Sequence, residues 1–417
     1  MSVKKYLTKR NGYILLIIIA VLTAYISTTD GGDFDVYLGA AKKLNDGQNI
    51  YAPPFVKGLQ YYYSVFFALL LIPFHKFIFV TEFIWLLASY YWLYRIWLLC
   101  KDYFHVERLT AKQQNQWLLF TFLLALQFIM YNISVIQVTI FLLWAILESL
   151  RLIQQKKEIT AGLLLALIIN IKVMPILMLP YLFYRGYFKT IVTIIIASVA
   201  LIYLPAIFIG NEYNNFLLAE WWKIINPQNK EHLFETNIGP HSLVALIPVY
   251  LTDTTGDLAF KRNFVNLDAA TVTTIINACR LLLLAISLCY LRSMPFKKEN
   301  NKLKSFWEIA YFLLIIPLLM PHQMKYAFLF SLPMIMYVLY FYLLTWKEPR
   351  TTGYKVIFIL FAITILFYSP IYGRDLIGKF LFRYTQHFRY LTIATLLLIP
   401  VSLYCNPKKI AESARNS

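Results

Sequence analysis

Ten apolar runs, each close to the length of a bilayer-crossing helix, divide this chain and constrain it more than any other feature. They lie near 13–29, 78–99, 117–131, 137–153, 190–209, 271–291, 306–320, 327–346, 355–369 and 389–404. A hydrocarbon core about 30 Å thick needs about 20 such residues per helix, and a soluble chain would have to hide all ten runs. The composition rules that out. Of 417 residues, 59% are hydrophobic and 14% charged, against about 45–50% and about 25% in soluble domains. The expected fold class is therefore an all-α polytopic membrane protein, with residues 1–417 as a single integral-membrane domain.

Residues 160–184 depart from the pattern. Asn170 and Lys172 interrupt the apolar run and Pro175 forbids a regular helix through it. The segment reads as a broken or re-entrant pair of short helices, flanked on both sides by basic residues (Lys156 and Lys157, then Arg185 and Lys189). Counting the pair as two gives about twelve transmembrane helices. The clusters at 292–304, 347–355 and 408–414 then fall on the cytoplasmic side, as the positive-inside rule requires. Lys4, Lys5, Lys9 and Arg10 precede the first run with no small-residue cleavage site after it, so an uncleaved first span is expected, with both termini cytoplasmic. Three longer polar segments, 30–61, 210–270 and 370–388, face outward, and loops of that length in a compact protein usually carry function.

The net charge of +18 would suggest nucleic acid on a soluble protein. Here the basic residues sit in short clusters between apolar runs, where topology and anionic membrane lipids account for them; nucleic acid is not an expected partner. Cys100, Cys279, Cys289 and Cys405 show no disulfide or metal-ligand spacing. No metal site and no cofactor is expected. Phosphate-binding glycine loops, dinucleotide fingerprints and nucleophile elbows are absent from the sequence, which argues against nucleotide hydrolysis, dinucleotide redox chemistry and serine hydrolysis.

Chemistry is densest in the outer segments. Asp33 and Asp35 follow the first apolar run directly. A carboxylate at the membrane rim is poorly solvated, so its pKa can rise towards that of a general base; either Asp could instead cap the helix that begins near Val36. His322 and Lys325, in a tight outer connection, and Lys172, inside the interrupted run, are suited to a phosphate carried on a lipid. Candidate sugar or acceptor contacts are Tyr37, Tyr62, Trp221, Trp222, Asn237 and His241, although aromatics here also form the ordinary interfacial belt.

These residues carry a resemblance. Asp33-Phe34-Asp35-Val36-Tyr37, Gly39-Ala40-Ala41, Gly47 and Tyr51-Ala52-Pro53-Pro54 resemble the first outer loop of glycosyltransferase family 87. Phe66 to Pro73, Gln137-Val138, Ala161-Gly162-Leu163, Lys172 to Pro175 and Pro321-His322 are similar to later segments of that family, in the same order. Two places depart: Tyr62-Tyr63-Ser64 stands where the family usually has Tyr-Pro-Pro, and Gln323 follows His322 where a second histidine is commoner. The resemblance implies a GT-C fold with the active site in the outer loops. It also implies metal-free, inverting transfer of a sugar, mannose foremost, from a polyprenyl-phosphate carrier to a lipid or glycan acceptor at the outer face of the cytoplasmic membrane. On the same resemblance Asp33 is the catalytic carboxylate and His322 lies at the donor phosphate; Asp35 remains a second carboxylate, better placed as an N-cap. Two other classes stay open: a transporter or flippase, for which Lys172 beside Asn170 and Pro175 is the supporting feature, and a ligase or polymerase of lipid-linked glycans.

Overall fold

The computed structural model describes residues 9–226, 229, 235, 239–256, 258–346 and 351–416. Among them the chain is all helical, without strands. Each of the ten apolar runs becomes a helix, and several begin on side-chain caps at polar residues flanking the runs. Thr110 and Gln113 form a reciprocal capping box at Ala111–Ser134. Asp268 accepts from the backbone N–H groups of Ala270 and Thr271, both at 3.0 Å, at the start of Ala269–Leu291. Asn301 and Thr351 do the same for Lys302–Leu319 and Thr352–Tyr368. Each such cap satisfies backbone donors that the first helical turn leaves unpaired.

Five helices are long and apolar enough to cross a bilayer: Ile78–Lys101, Ala111–Ser134, Phe188–Ile209, Ala269–Leu291 and Lys325–Thr345. The number rises to seven if two bent pairs count as one span each, Ile14–Asp30 with Phe34–Asn45 and Leu376–His387 with Tyr390–Tyr404. Val65–Phe74, Glu158–Ile171, Met174–Tyr184 and Thr352–Tyr368 are apolar but shorter. Lys302–Leu319 and Lys325–Thr345 are enclosed by protein nearly throughout, whereas Phe188–Tyr203 turns Val192, Ile195, Ile196 and Val199 outward. A helix that is apolar on its outer face suits lipid rather than water.

The bundle has two ends. At one end Lys302 Nζ meets Asp102 at 2.9 Å, Lys298 Nζ meets Glu158 at 2.9 Å, and the Tyr340 hydroxyl donates to the His105 carbonyl at 3.0 Å. The basic connection 292–304 lies here. At the other end the connections after the first helix, around residue 136, around residue 322 and after residue 387 converge.

The segment 160–184 breaks as expected. Glu158–Ile171 stops at Lys172, which is extended, and a 3₁₀ turn, Met174–Met178, leads into Leu179–Tyr184. Both arms start from the basic end: Glu158 pairs with Lys298, and the backbone N–H of Phe296 donates to the Tyr184 carbonyl at 2.7 Å. Ser64, which stands where the resemblance leads one to expect proline, stitches the tip of this hairpin to the outer loop. Its Oγ accepts from the Phe67 N–H at 3.2 Å, capping Val65–Leu71, and donates to the Asn170 carbonyl.

Candidate active site

Asp33 is set by the turn that ends the first helix. Gly31, at φ +65°, closes that helix through an N–H bond to the Ser27 carbonyl at 3.0 Å. At Gly32 a Cβ would stand 2.4 Å from the Val135 carbonyl oxygen, so only glycine lets the two chains approach. The Asp33 N–H then donates to that carbonyl at 2.8 Å. The helix begins at Phe34, two residues earlier than expected, with Asp33 at its N-cap position. Its carboxylate does not cap the helix: Gln137 Nε2 donates to Asp33 Oδ2 instead. Asp35 is not an N-cap. It lies in the first turn and pairs with Lys57 at 2.5 Å, with buried Glu82 hydrogen-bonded beside it. Burial raises the pKa of Asp33 above the ordinary carboxylate value, against the opposing Gln137 hydrogen bond and the positive charges of Lys172 and Lys57.

Lys172 faces this carboxylate from the break in the hairpin. Its Nζ lies 4.9 Å from the ring centroid of Tyr326 and 5.5 Å from that of Tyr63, and among the described residues it makes no hydrogen bond or ion pair. It interacts electrostatically with Asp33 without touching it. Lys325 is partly buried, with Nζ 5.7 Å from the Phe382 ring centroid, and among the described residues it forms no ion pair with a carboxylate. His322, at φ +54°, packs its ring against Tyr62 at 5.4 Å between centroids. Glu235 accepts from both His322 Nδ1, at 2.5 Å, and the His322 backbone N–H, at 3.2 Å. Sequence reasoning missed Glu235 and Gln137 as functional groups; nothing local marks a glutamate in a polar loop, whereas Gln137 did stand in one of the quoted similar segments.

Several expected contacts fall elsewhere. Tyr37 is 1% exposed, and its hydroxyl is engaged by Tyr63 at 2.6 Å and Gln137 Oε1 at 3.2 Å; it belongs to a hydrogen-bond chain beside Asp33. Trp221 is 8% exposed, its indole N–H donating to the Tyr62 carbonyl at 3.1 Å, so it braces Tyr62 from behind. Trp222, 58% exposed, points to the exterior. His241 is 1% exposed, with Nε2 and Gln386 Oε1 2.7 Å apart. Its backbone N–H donates to the Gln323 carbonyl at 2.7 Å and its carbonyl accepts from Thr392 Oγ1 at 2.7 Å, so it fastens three connections together. Burial first, then the neighbouring positive charges of Arg389 and Lys325, push its pKa down to about 3. Asn237 lies outside the described residues. Tyr62 and Tyr63, by contrast, bring His322 and Lys172 into one neighbourhood. Among the described residues no group of three or more His, Cys, Asp or Glu side chains is arranged to hold a metal ion.

Asp33, half-buried, and two lysines with aromatic neighbours thus lie at one end of an apolar helical bundle. The comparison with known families gives the chain its place: residues 61–303 match the family model of glycosyltransferase family 87. The chain belongs to this family, and with it to the glycosyltransferases. The matched stretch includes Tyr62, Gln137, Lys172 and Glu235; Asp33, His322 and Lys325 lie outside it. No curated protein and no solved structure matches the chain.

Proposed function

We propose that this glycosyltransferase moves a sugar, mannose foremost, from a polyprenyl-phosphate carrier to a lipid or glycan acceptor by a single inverting displacement. Asp33 takes the proton of the acceptor hydroxyl as its oxygen attacks the anomeric carbon. The bond from that carbon to the phosphate oxygen breaks, and the polyprenyl phosphate leaves with the bonding electron pair. Lys172 and Lys325, with His322 held by Glu235, face the leaving phosphate and stabilise its charge. Such preorganised electrostatics usually dominates transfer chemistry. The phosphate is already a good leaving group, so one base suffices and no acid catalyst is needed.

The observation that carries this reading is the pairing of Asp33 with Lys172. The two charges sense each other but form no ion pair among the described residues, and an in-line displacement calls for a base on the acceptor side and a cation on the leaving-group side. A half-buried cation whose contacts are two aromatic faces is costly unless an anion joins it. In this reading the site end is the outer face of the cytoplasmic membrane, the basic end with both termini is cytoplasmic, and the shorter helices bring the number of crossings to about twelve in a GT-C arrangement. The transporter reading rested on Lys172, Asn170 and Pro175; the proposed reading gives Lys172 to the donor phosphate, while the Asn170 side chain donates to the Ala166 carbonyl at 2.9 Å within its own helix.

The test is transfer from a radiolabelled polyprenyl phosphate mannose by the purified protein, without an ion gradient. Asp33→Asn keeps size and packing but removes the proton acceptor, so transfer falls by about 10²–10⁴-fold. Near wild-type transfer by that variant would dismiss Asp33 as the base. A wild-type protein inactive with every polyprenyl phosphate sugar offered would dismiss the donor class.

A further inference from the structure

We propose that Gln137 is the positioning residue of the transfer site, and that the hydrogen-bond chain Tyr63–Tyr37–Gln137 fixes which oxygen of Asp33 is offered to the acceptor. The inference rests on Asp33 as the base and adds what holds it. The turn Val135-Ile136-Gln137 joins helices Ala111–Ser134 and Thr139–Gln154, and Ile136, fully buried, adopts φ +51° there. A β-branched residue rarely enters the left-handed region, and such turns persist where their surroundings over-determine them. Here the surroundings are explicit. The Gln137 N–H donates to the Asn132 carbonyl at 2.9 Å, and the Gln137 carbonyl accepts from the Trp85 indole at 3.4 Å.

The amide itself has one sensible orientation. Its Oε1 accepts from the Tyr37 hydroxyl at 3.2 Å and from the Val138 N–H at 3.3 Å. Both partners act as donors, so the amide oxygen must face them and the NH₂ must face Asp33. With the Tyr37 hydroxyl donating to Oε1, Tyr63 is the donor across their 2.6 Å contact, in which either hydroxyl can serve. Asp33 is thus tied to one turn twice, by its backbone N–H to Val135 and by its Oδ2 to Gln137. Among the described residues its Oδ1 accepts no hydrogen bond. With Oδ2 engaged, Oδ1 is the oxygen that takes the proton. Gln137 does not touch the reacting atoms; it acts through Asp33.

A role of this kind changes the titration of Asp33, whereas simple packing would not. The ionisable groups around that carboxylate are Lys172 at the hairpin break, Lys57 and Asp35 beside it, Glu82 next to Asp35, and Tyr37, Tyr63, Tyr131 and Tyr326. The experiment uses the full-length protein in detergent and follows the infrared C=O band of the protonated carboxyl against pH, with Asp33→Asn identifying the band. Gln137→Met keeps chain length and loses the donor. Its Asp33 midpoint should rise by about one pH unit, since a hydrogen bond that favours the ionised form is removed. Transfer from polyprenyl phosphate mannose should fall about tenfold to a hundredfold in kcat, with donor KM within about twofold. Tyr37→Phe keeps the ring, frees the amide to rotate, and should show the same signs at smaller size. If Gln137→Met does not fold, Tyr37→Phe decides alone, and Gln137→Asn should restore part of the effect only if the amide is what matters. An unmoved Asp33 midpoint in the folded variants overturns the inference. Undiminished transfer by Asp33→Asn would instead remove the base reading beneath it, so the two failures are distinct.

Discussion

The two ends of the bundle each shelter a cation, Arg185 fully and Lys172 in part, and they do so in opposite ways. At the basic end Arg185 and Glu308 are 1% and 0% exposed. Arg185 Nη2 meets Glu308 Oε1 at 2.5 Å and Nε donates to Oε2 at 2.9 Å. The remaining donors reach Ser293 Oγ at 2.6 Å, the Lys297 carbonyl at 3.0 Å and the Leu291 carbonyl at 3.2 Å. The planar fork of arginine suits this bidentate, fully satisfied arrangement, and it locks the hairpin arm Leu179–Tyr184 to helices Ala269–Leu291 and Lys302–Leu319. At the site end Lys172 has two tyrosine faces and a carboxylate that it does not touch. Arg185 is matched within the chain; Lys172, in the proposed reading, is matched by the phosphate of the donor.

This contrast can be broken most severely at the basic end. Arg185→Met leaves Glu308 buried with only Lys304 Nζ, 3.8 Å away, for a partner, so stability should drop by about 3 kcal/mol, read as a lower thermal midpoint in detergent. Transfer per folded molecule should be retained. A stable but inactive Arg185→Met would show that the two ends are not separate in purpose.

His241 sharpens the comparison from the site side, because it is buried there as a neutral group. Its folded pKa of about 3 is below the ordinary histidine value, so the unfolded chain binds more protons between those two values. Stability is therefore complete above the unfolded value and is lost as pH falls towards 3. Between pH 7 and pH 4.5 the loss from this one residue should be on the order of 3 kcal/mol. His241→Gln should flatten that part of the pH dependence of the thermal midpoint; an identical slope in the variant would mean that the imidazole is not held neutral.

Lys172→Met should behave in the opposite sense to Arg185→Met. Removing a cation that forms no ion pair among the described residues should leave the thermal midpoint unchanged or higher, while KM for the donor rises about tenfold to a hundredfold, as for loss of a charge-assisted contact. A destabilised protein with unchanged KM would place Lys172 with Arg185, among the structural charges. The smallest effect is expected at Asp35. Its partner Lys57 is largely solvent-facing, with a side chain 44% exposed, and such pairs contribute about 0–1 kcal/mol. Asp35→Asn should keep turnover, and a dead Asp35→Asn with an active Asp33→Asn would exchange the roles of the two carboxylates.

The periodic record of the sequence carried the helices. Ten apolar runs are ten helices, and the break at Lys172 and Val173 was legible because an asparagine, a lysine and a proline within six residues cannot continue a buried helix. Asp33 and Lys172 were legible as candidates because charge at the edge of, or within, an apolar run is costly, although helix capping stood as an alternative for Asp33. Hydrophobic spacing is local, and the chain writes it residue by residue. The partnerships are not local. Gln137 is more than a hundred positions from Asp33, Glu235 almost ninety from His322, and Glu308 more than a hundred from Arg185, and each pair meets only because the intervening helices pack. Tyr37, Trp221 and His241 read as ligand contacts from their chemistry alone, because a side chain able to meet a sugar is equally able to satisfy a neighbour. Only the tertiary structure decided which of them faces inward, since burial and hydrogen-bond partnership depend on what the rest of the chain brings alongside.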